Sequence, residues 1–189
     1  GGMNICAPQL RTKRPPEPIE DLHFRVSGPV VAHLQEAFAD AWFFTTGEAL
    51  RGPKWFPTLS PAGLMPVRGI ADGPDEDLEK LRWTILGAIT AARRSLRILT
   101  PYFLPDTAII SALGLAAMRG VEVDILLPSD GDVPFVQWAS AAHWGQMLEH
   151  GCRIWVAPPP FDHSKIFIVD DGWVLLGSSN WDPRSLCLN

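Results

Sequence analysis

The chain has 189 residues, 47% hydrophobic and 20% charged, with a mean hydropathy of +0.07; this excludes intrinsic disorder and predicts one domain that buries its core without a metal or disulfide staple. Sixteen basic against twenty-one acidic residues give a net charge of −5, which argues against a broad nucleic-acid-binding face. The cysteines Cys6, Cys152 and Cys187 form no C-x-x-C pair, as in a reducing compartment, and the longest apolar stretch, Ile85 to Ala92, is far below the roughly 20 residues that span a bilayer.

Residues 1–21 have little periodicity and no secretory-leader pattern. Within them Arg11 to Pro18 reads as an extended surface segment, apart from a domain over 22–189. Leu22, Phe24 and Val26 alternate with polar neighbours, predicting a short strand. Ser27-Gly28-Pro29 opens a helix that carries Val30, Val31, Leu34, Phe38 and Trp42 at helical spacing and stops near Gly47. That periodicity assigns Trp42-Phe43-Phe44 to the core, whereas Trp55-Phe56, in a Pro-bounded loop, divides evenly between core and bilayer interface. A loop over 51–66 is followed by a predicted strand over Leu64 to Ile70.

Acidic residues from Asp72 to Asp77 precede a helix with Leu78, Leu81, Ile85 and Ile89 on its apolar stripe. A strand over Leu96 to Leu99, a helix from Asp106 to Arg119 and a strand over Val121 to Leu127 follow. The last is a near-continuous apolar run, the pattern of a strand covered on both faces. A helix from Pro134 to His150 and a strand from Cys152 to Val156 come next. Two final strands, Lys165 to Val169 and Trp173 to Leu176, are joined by the turn Asp170-Asp171-Gly172. Strands alternating with helices predict an α/β fold, a mixed β-sheet flanked by helices.

The chemistry concentrates in His163-Ser164-Lys165, with Asp170 five positions after the lysine and Gly177-Ser178-Ser179-Asn180 beyond the next strand. Residues two apart on a strand share a face, so His163 and Lys165 are expected to project together. An imidazole, titrating at about 6.5 unperturbed, serves as nucleophile or proton donor. A lysine ammonium holds a phosphate oxygen and stabilises charge on it. Ser178 and Asn180 add neutral donors, and Asp170 is placed to brace the hairpin. This set suits phosphodiester chemistry and calls for no metal. His23, His33 and His150 lack ligand spacing.

The pattern H-x-K-x4-D-x6-G-S-x-N resembles the defining motif of the phospholipase D superfamily. Thr100 to Pro105, Gly151 to Ile154 and Asp182 to Asn189 look like its cardiolipin synthase branch. The resemblance implies one phospholipase D-type half-domain, with His163, Lys165, Asp170 and Asn180 in the catalytic set, Ser178 and Tyr102 against the substrate, and no cofactor. It implies two motifs meeting in one active site, one histidine attacking phosphorus to form a phosphohistidine and the other, assigned to His163, protonating the leaving alcohol. The full enzyme would move a phosphatidyl group between phosphatidylglycerol-like lipids at the cytoplasmic face of a membrane.

One motif is present here. Gly1-Gly2-Met3-Asn4 resembles the end of the other, and the spacing of fourteen from His163 to Gly177 places its histidine fourteen residues before Gly1. In the cardiolipin synthase branch a glutamate just past the equivalent of Leu188-Asn189 orients the imidazole, so that support is expected to be missing. The isolated chain is therefore expected to be inactive unless a missing N-terminal half or a second copy completes the site. The alternatives are a superfamily nuclease or phosphodiesterase, against which the negative charge counts, and a non-catalytic interaction fragment. Asp130, Asp132 and His143-Trp144 are assigned loop or structural roles, and Arg11, Lys13 and Arg14 are a weak signal for anionic lipid.

Overall fold

A computed structural model describes residues 7–9, 18–72, 79–129 and 134–187. In chain order the elements are β1 (Ile19–Glu20), α1 (Val30–Thr46), α2 (Lys80–Ala91), β2 (Ser95–Leu99), α3 (Thr107–Met118), β3 (Glu122–Pro128), α4 (Pro134–Glu149), β4 (Arg153–Ala157), β5 (Phe161–Asp162), β6 (Ile166–Val169), β7 (Trp173–Leu176) and α5 (Pro183–Cys187). Two compact units share the chain: Gly1–His23 with Asp72–Asn189, and Phe24–Ala71.

The larger unit holds a five-stranded mixed sheet in the order β4-β3-β2-β6-β7. Strands β2, β3 and β4 are parallel, while β6 runs antiparallel to β2, and β7 to β6. The steps from β2 to β3 and from β3 to β4 go the same way across the sheet, so two right-handed crossovers place α3 and α4 on one face. Helix α2 packs beside α3. Ile85 and Ile89 of α2, Ile109 and Leu113 of α3, and Leu96 and Ile125 of the sheet are fully buried between these layers. Removing a large side chain from such a layer costs about 2–5 kcal/mol.

Strand β3 departs from the expectation of cover on both faces. Val123, Ile125 and Leu127 are buried, but Leu126 is exposed and Asp124 half-buried. With both crossovers on one side, the other face keeps Trp155 and Val174 exposed and carries polar pairing: Arg153 donates to Asp124 at 2.7 and 2.8 Å and to Glu122 at 3.0 Å.

The β6–β7 hairpin is fastened at its turn. Asp170 and Asp171 both have positive φ, 53° and 57°, a conformation that Asp tolerates better than most residues. The Asp170 carboxylate accepts from the backbone N–H groups of Ser95 (2.9 Å), Arg93 (2.9 Å) and Arg94 (2.7 Å). Its own N–H donates to the Ser95 carbonyl at 3.0 Å, and the Arg94 guanidinium donates to its carbonyl at 2.8 Å. These donors, Ser95 foremost, hold its pKa below the ordinary carboxylate value.

The smaller unit is α1 followed by an irregular chain. Helix α1 stops where Gly47 takes φ 74° and donates its N–H to the Phe43 carbonyl at 2.8 Å. The strands predicted over Leu22–Val26 and Leu64–Ile70 do not form, because the alternation there finds no neighbouring strand to pair with. Core burial of Trp42-Phe43-Phe44 also fails: all three are exposed, Phe44 by 92%. A unit of fewer than about 50 residues with a single helix offers no opposing layer, and α1 buries only Ala39. Trp55 is likewise exposed, with the Lys54 ammonium 5.5 Å from its ring centroid. Among the described residues no helix is long and apolar enough to cross a membrane. Residues 1–6, Arg11 to Arg14, 73–78, Asp130, Asp132, Leu188 and Asn189 lie outside the described residues.

Asp170→Ala is expected to lower the urea midpoint at pH 7. A depressed folded-state pKa stabilises above the unfolded value of 3.8 and is lost as pH falls through the folded one. The gap between variant and parent should therefore close on acidification below pH 3.8, which urea titrations at several pH values will measure.

Candidate active site

The reversal of β6 brings His163–Lys165 and Gly177–Asn180 to one sheet edge. Leu99, the last residue of β2, pairs with Ile166, the first of β6, and Ile166 pairs with Leu176, the last of β7. The carboxyl ends of β2, β3, β4 and β7 therefore meet the amino end of β6. In open α/β sheets this is where ligands bind. His163–Lys165 leads into β6, Gly177–Asn180 leaves β7 and Tyr102 follows β2. Asp170 sits at the other end of β6, roughly 16 Å from Lys165 at strand spacing, and its carboxylate is committed to the α2–β2 corner. It belongs with the hairpin, not with the edge that carries His163 and Lys165.

The strand expected from Lys165 starts at Ile166, so His163, Ser164 and Lys165 form a link between β5 and β6 and do not share a strand face. The link is held from the N-terminal segment. Strand β1 pairs parallel with β5, Ile19 with Phe161 and Glu20 with Asp162. The His163 N–H donates to the Glu20 carbonyl at 2.7 Å, and the Leu22 N–H to the Ser164 hydroxyl at 3.0 Å. The Ser164 N–H donates to the Asp162 carboxylate at 2.8 Å. Lys165, almost fully buried, donates its ammonium to the His163 carbonyl at 2.5 Å.

The Nδ1 atom of His163 lies 3.2 Å from Oδ2 of Asp21, with side chains 19% and 5% exposed. An ionised carboxylate only accepts, so this contact places a proton on Nδ1 and leaves Nε2 for chemistry. The other oxygen of Asp21 is buried with no hydrogen-bond partner among the described residues. A carboxylate from the front of the chain is thus in contact with the His163 ring. Sequence reasoning missed Asp21 because a two-residue parallel pairing across 142 positions leaves no periodic trace. The one available cue was an acidic pair, Glu20-Asp21, closing the proline-rich run.

Around the imidazole, the Phe161 ring lies 6.1 Å from His163 and 6.3 Å from Tyr102, centroid to centroid. Tyr102 therefore stands one aromatic ring from His163. The Trp181 N–H donates to the Tyr102 carbonyl at 3.2 Å and the Leu104 N–H to the Trp181 carbonyl at 2.7 Å, stitching the segment after β7 to the one after β2. Asn180 is half-buried; its amide nitrogen is 3.4 Å from the Ser185 hydroxyl, and its amide oxygen is buried without a partner among the described residues. Ser178 is exposed in the turn after β7. On α4, His143 is exposed while Trp144 is half-buried and donates to Ser140 at 3.1 Å. Cys152 is buried, which pushes its thiol up to about 11 and away from nucleophilic use. Among the described residues no cluster of three or more His, Cys, Asp or Glu could hold a metal ion.

Residues 85–189 match the family described as cardiolipin synthase, PLD-like domain. Over its full length the chain is 39% identical to a cardiolipin synthase A of Pseudomonas fluorescens and, over 191 residues, 37% identical to a cardiolipin synthase 2 of Bacillus cereus. It covers 39% and 37% of those proteins, about two fifths of their length. Among solved structures, a phospholipase D family member, Nuc from Salmonella typhimurium, is similar with a TM-score of 0.51 and 28% identity, over 60% of this chain and 72% of that one.

The Asp21 contact predicts that neutral His163 carries its proton on Nδ1. In ¹⁵N-edited spectra the two ring nitrogens should show the shifts of that tautomer, and Asp21→Ala should move them toward the mixture seen in free imidazoles. Identical shifts in parent and variant would show that the carboxylate does not hold the ring.

Proposed function

The chain belongs to the cardiolipin synthase, phospholipase D-like family, and on that premise we propose that it supplies one half of the active site of a phosphatidyltransferase acting on phosphatidylglycerol-like lipids at the cytoplasmic face of a membrane. The observation that carries this reading is the buried Asp21 carboxylate on Nδ1 of a partly exposed His163, with Lys165 and Asn180 held at the same sheet edge. A histidine braced by a carboxylate is a proton-transfer device. The ammonium and amide beside it suit the oxygens of a phosphodiester.

The chemistry takes two displacements. A second imidazole, from the other half of the full protein or from a second copy of this chain, attacks phosphorus and forms a P–N bond. The P–O bond to the glycerol headgroup breaks as His163 gives its Nε2 proton to the departing oxygen. The hydroxyl of a second lipid then loses its proton to His163, and its oxygen attacks phosphorus. The P–N bond breaks and the other histidine leaves unmodified. Asp21 keeps its hold on Nδ1 throughout, so the same Nε2 atom donates and then accepts. Lys165 places positive charge where charge builds on the phosphoryl oxygens.

In a protein carrying both motifs, mixed with phosphatidylglycerol vesicles, glycerol release and appearance of the doubled lipid should fall at least 10²-fold in His163→Ala. Asp21→Asn should lower kcat by a comparable factor and leave KM near its parent value, because the carboxylate acts through the imidazole and not on the lipid. Undiminished transfer in His163→Ala would sink the assignment.

A further inference from the structure

On the helix-covered side of the same sheet edge, reached from His163 across the Phe161 and Tyr102 rings, lies a cavity of about 110 Å³. Its walls are Tyr102 and Phe103 from the segment after β2, Leu127 and Pro128 at the end of β3, Val156 near the end of β4 and Trp144 of α4. We infer that this cavity receives the first few carbons of an acyl chain of the lipid whose phosphate is handled at His163. The inference rests on the lipid substrate class proposed above and adds where the apolar part of that substrate sits.

The choice between acyl chain and headgroup follows from the wall. A glycerol headgroup needs donors and acceptors, and the polar groups lining the cavity are largely engaged with the protein itself. The buried Ser140 hydroxyl gives its one proton to the Phe103 carbonyl at 2.5 Å and accepts from Nε1 of Trp144 at 3.1 Å. The Ser129 N–H donates to the Ala157 carbonyl at 2.7 Å. What remains facing the space is predominantly hydrocarbon and aromatic surface. An apolar cavity of ~150 Å³ stays dry and takes up a benzene, so this smaller one has room for a few methylene groups.

Its position suits the same occupant. Tyr102 lines the cavity and is one ring, Phe161, from the His163 imidazole. A diacylglycerol phosphate places its ester-linked chains only a few bonds from phosphorus. A lipid with its phosphate at His163 can therefore reach across Phe161 and Tyr102 into the cavity. Val156 closes it from the edge strand, half-exposed, and its register partner Leu127 closes it from β3.

Tyr102 is the only tyrosine of the sequence, so 3-fluorotyrosine gives the chain a single ¹⁹F resonance inside the cavity. Phosphatidylglycerol with two six-carbon chains, titrated below its micelle concentration, should shift that resonance saturably. The four-carbon lipid should bind more weakly, by about fourfold for each methylene lost from the cavity, and glycerophosphoglycerol should not move it. Val156→Phe should fill the space from the exposed edge and weaken binding at least tenfold, with an unchanged circular dichroism spectrum.

An equal shift with glycerophosphoglycerol would make this a headgroup site and overturn the inference. So would undiminished binding in folded Val156→Phe, or a silent Tyr102. If lipid binds as described but a two-motif protein transfers nothing, the functional reading falls and the cavity assignment stands. If transfer proceeds with Tyr102 silent, only the cavity assignment falls.

Discussion

Strand β6 enters the sheet against its neighbour β2, and the location of every chemical group depends on that reversal. Three parallel strands deliver their carboxyl-end loops to one edge. A fourth strand in the same direction would have entered the sheet at the opposite edge, carrying His163 and Lys165 away from those loops. Antiparallel entry puts the residues before β6 level with the residues after β2 and β7. Antiparallel neighbours also need only a short turn between them, so the β6–β7 hairpin returns Gly177–Asn180 to the edge from which it started.

The second dependence is electrostatic. Asp21 is 95% shielded in the sense that its side chain is only 5% exposed, and one of its oxygens has no partner among the described residues. Burying a carboxylate in that state is costly unless a compensating charge or donor is close. The donor is Nδ1 of His163, 3.2 Å away. The same contact therefore fixes the orientation of the ring. The two-residue pairing of β1 with β5 is what brings the carboxylate there. A two-stranded sheet of two residues each thus sets a contact that its hydrogen bonds alone would not suggest.

Much of the larger unit was legible in the chain. The stripe Leu81, Ile85, Ile89 and the turn Asp170-Asp171-Gly172 are local patterns, and helix α2 and the β6–β7 hairpin follow them. The return of Gly177–Asn180 to the edge of His163 and Lys165 follows from the hairpin, but the strand face expected to hold both His163 and Lys165 does not form, since β6 starts at Ile166. What sequence could not supply was contact between distant segments. Asp21 meets His163 across 142 positions. Leu64 to Ile70 has strand composition but no partner strand. Phe38 and Trp42 have helical spacing, and their rings stack at 6.0 Å, but the smaller unit provides no second layer to bury them. Periodicity states which face of an element is apolar; it does not state whether anything lies against that face.

The spacing of the motif can be read as a length standard for the hairpin. Four residues separate Lys165 from Asp170, and these are the four of β6; six separate Asp170 from Gly177, two of the turn and the four of β7. Equal strand lengths return the chain to the edge it left, and Asp170 fastens the far end by accepting from three backbone N–H groups of the α2–β2 corner. A residue added to either strand would slip the register by one and turn its side chains to the opposite face, separating the lysine from the Gly-Ser-Ser-Asn segment. On this account Asp170 acts on the hairpin and not at the edge that carries His163. It fixes where β6 ends, and so where the residues preceding β6 must begin.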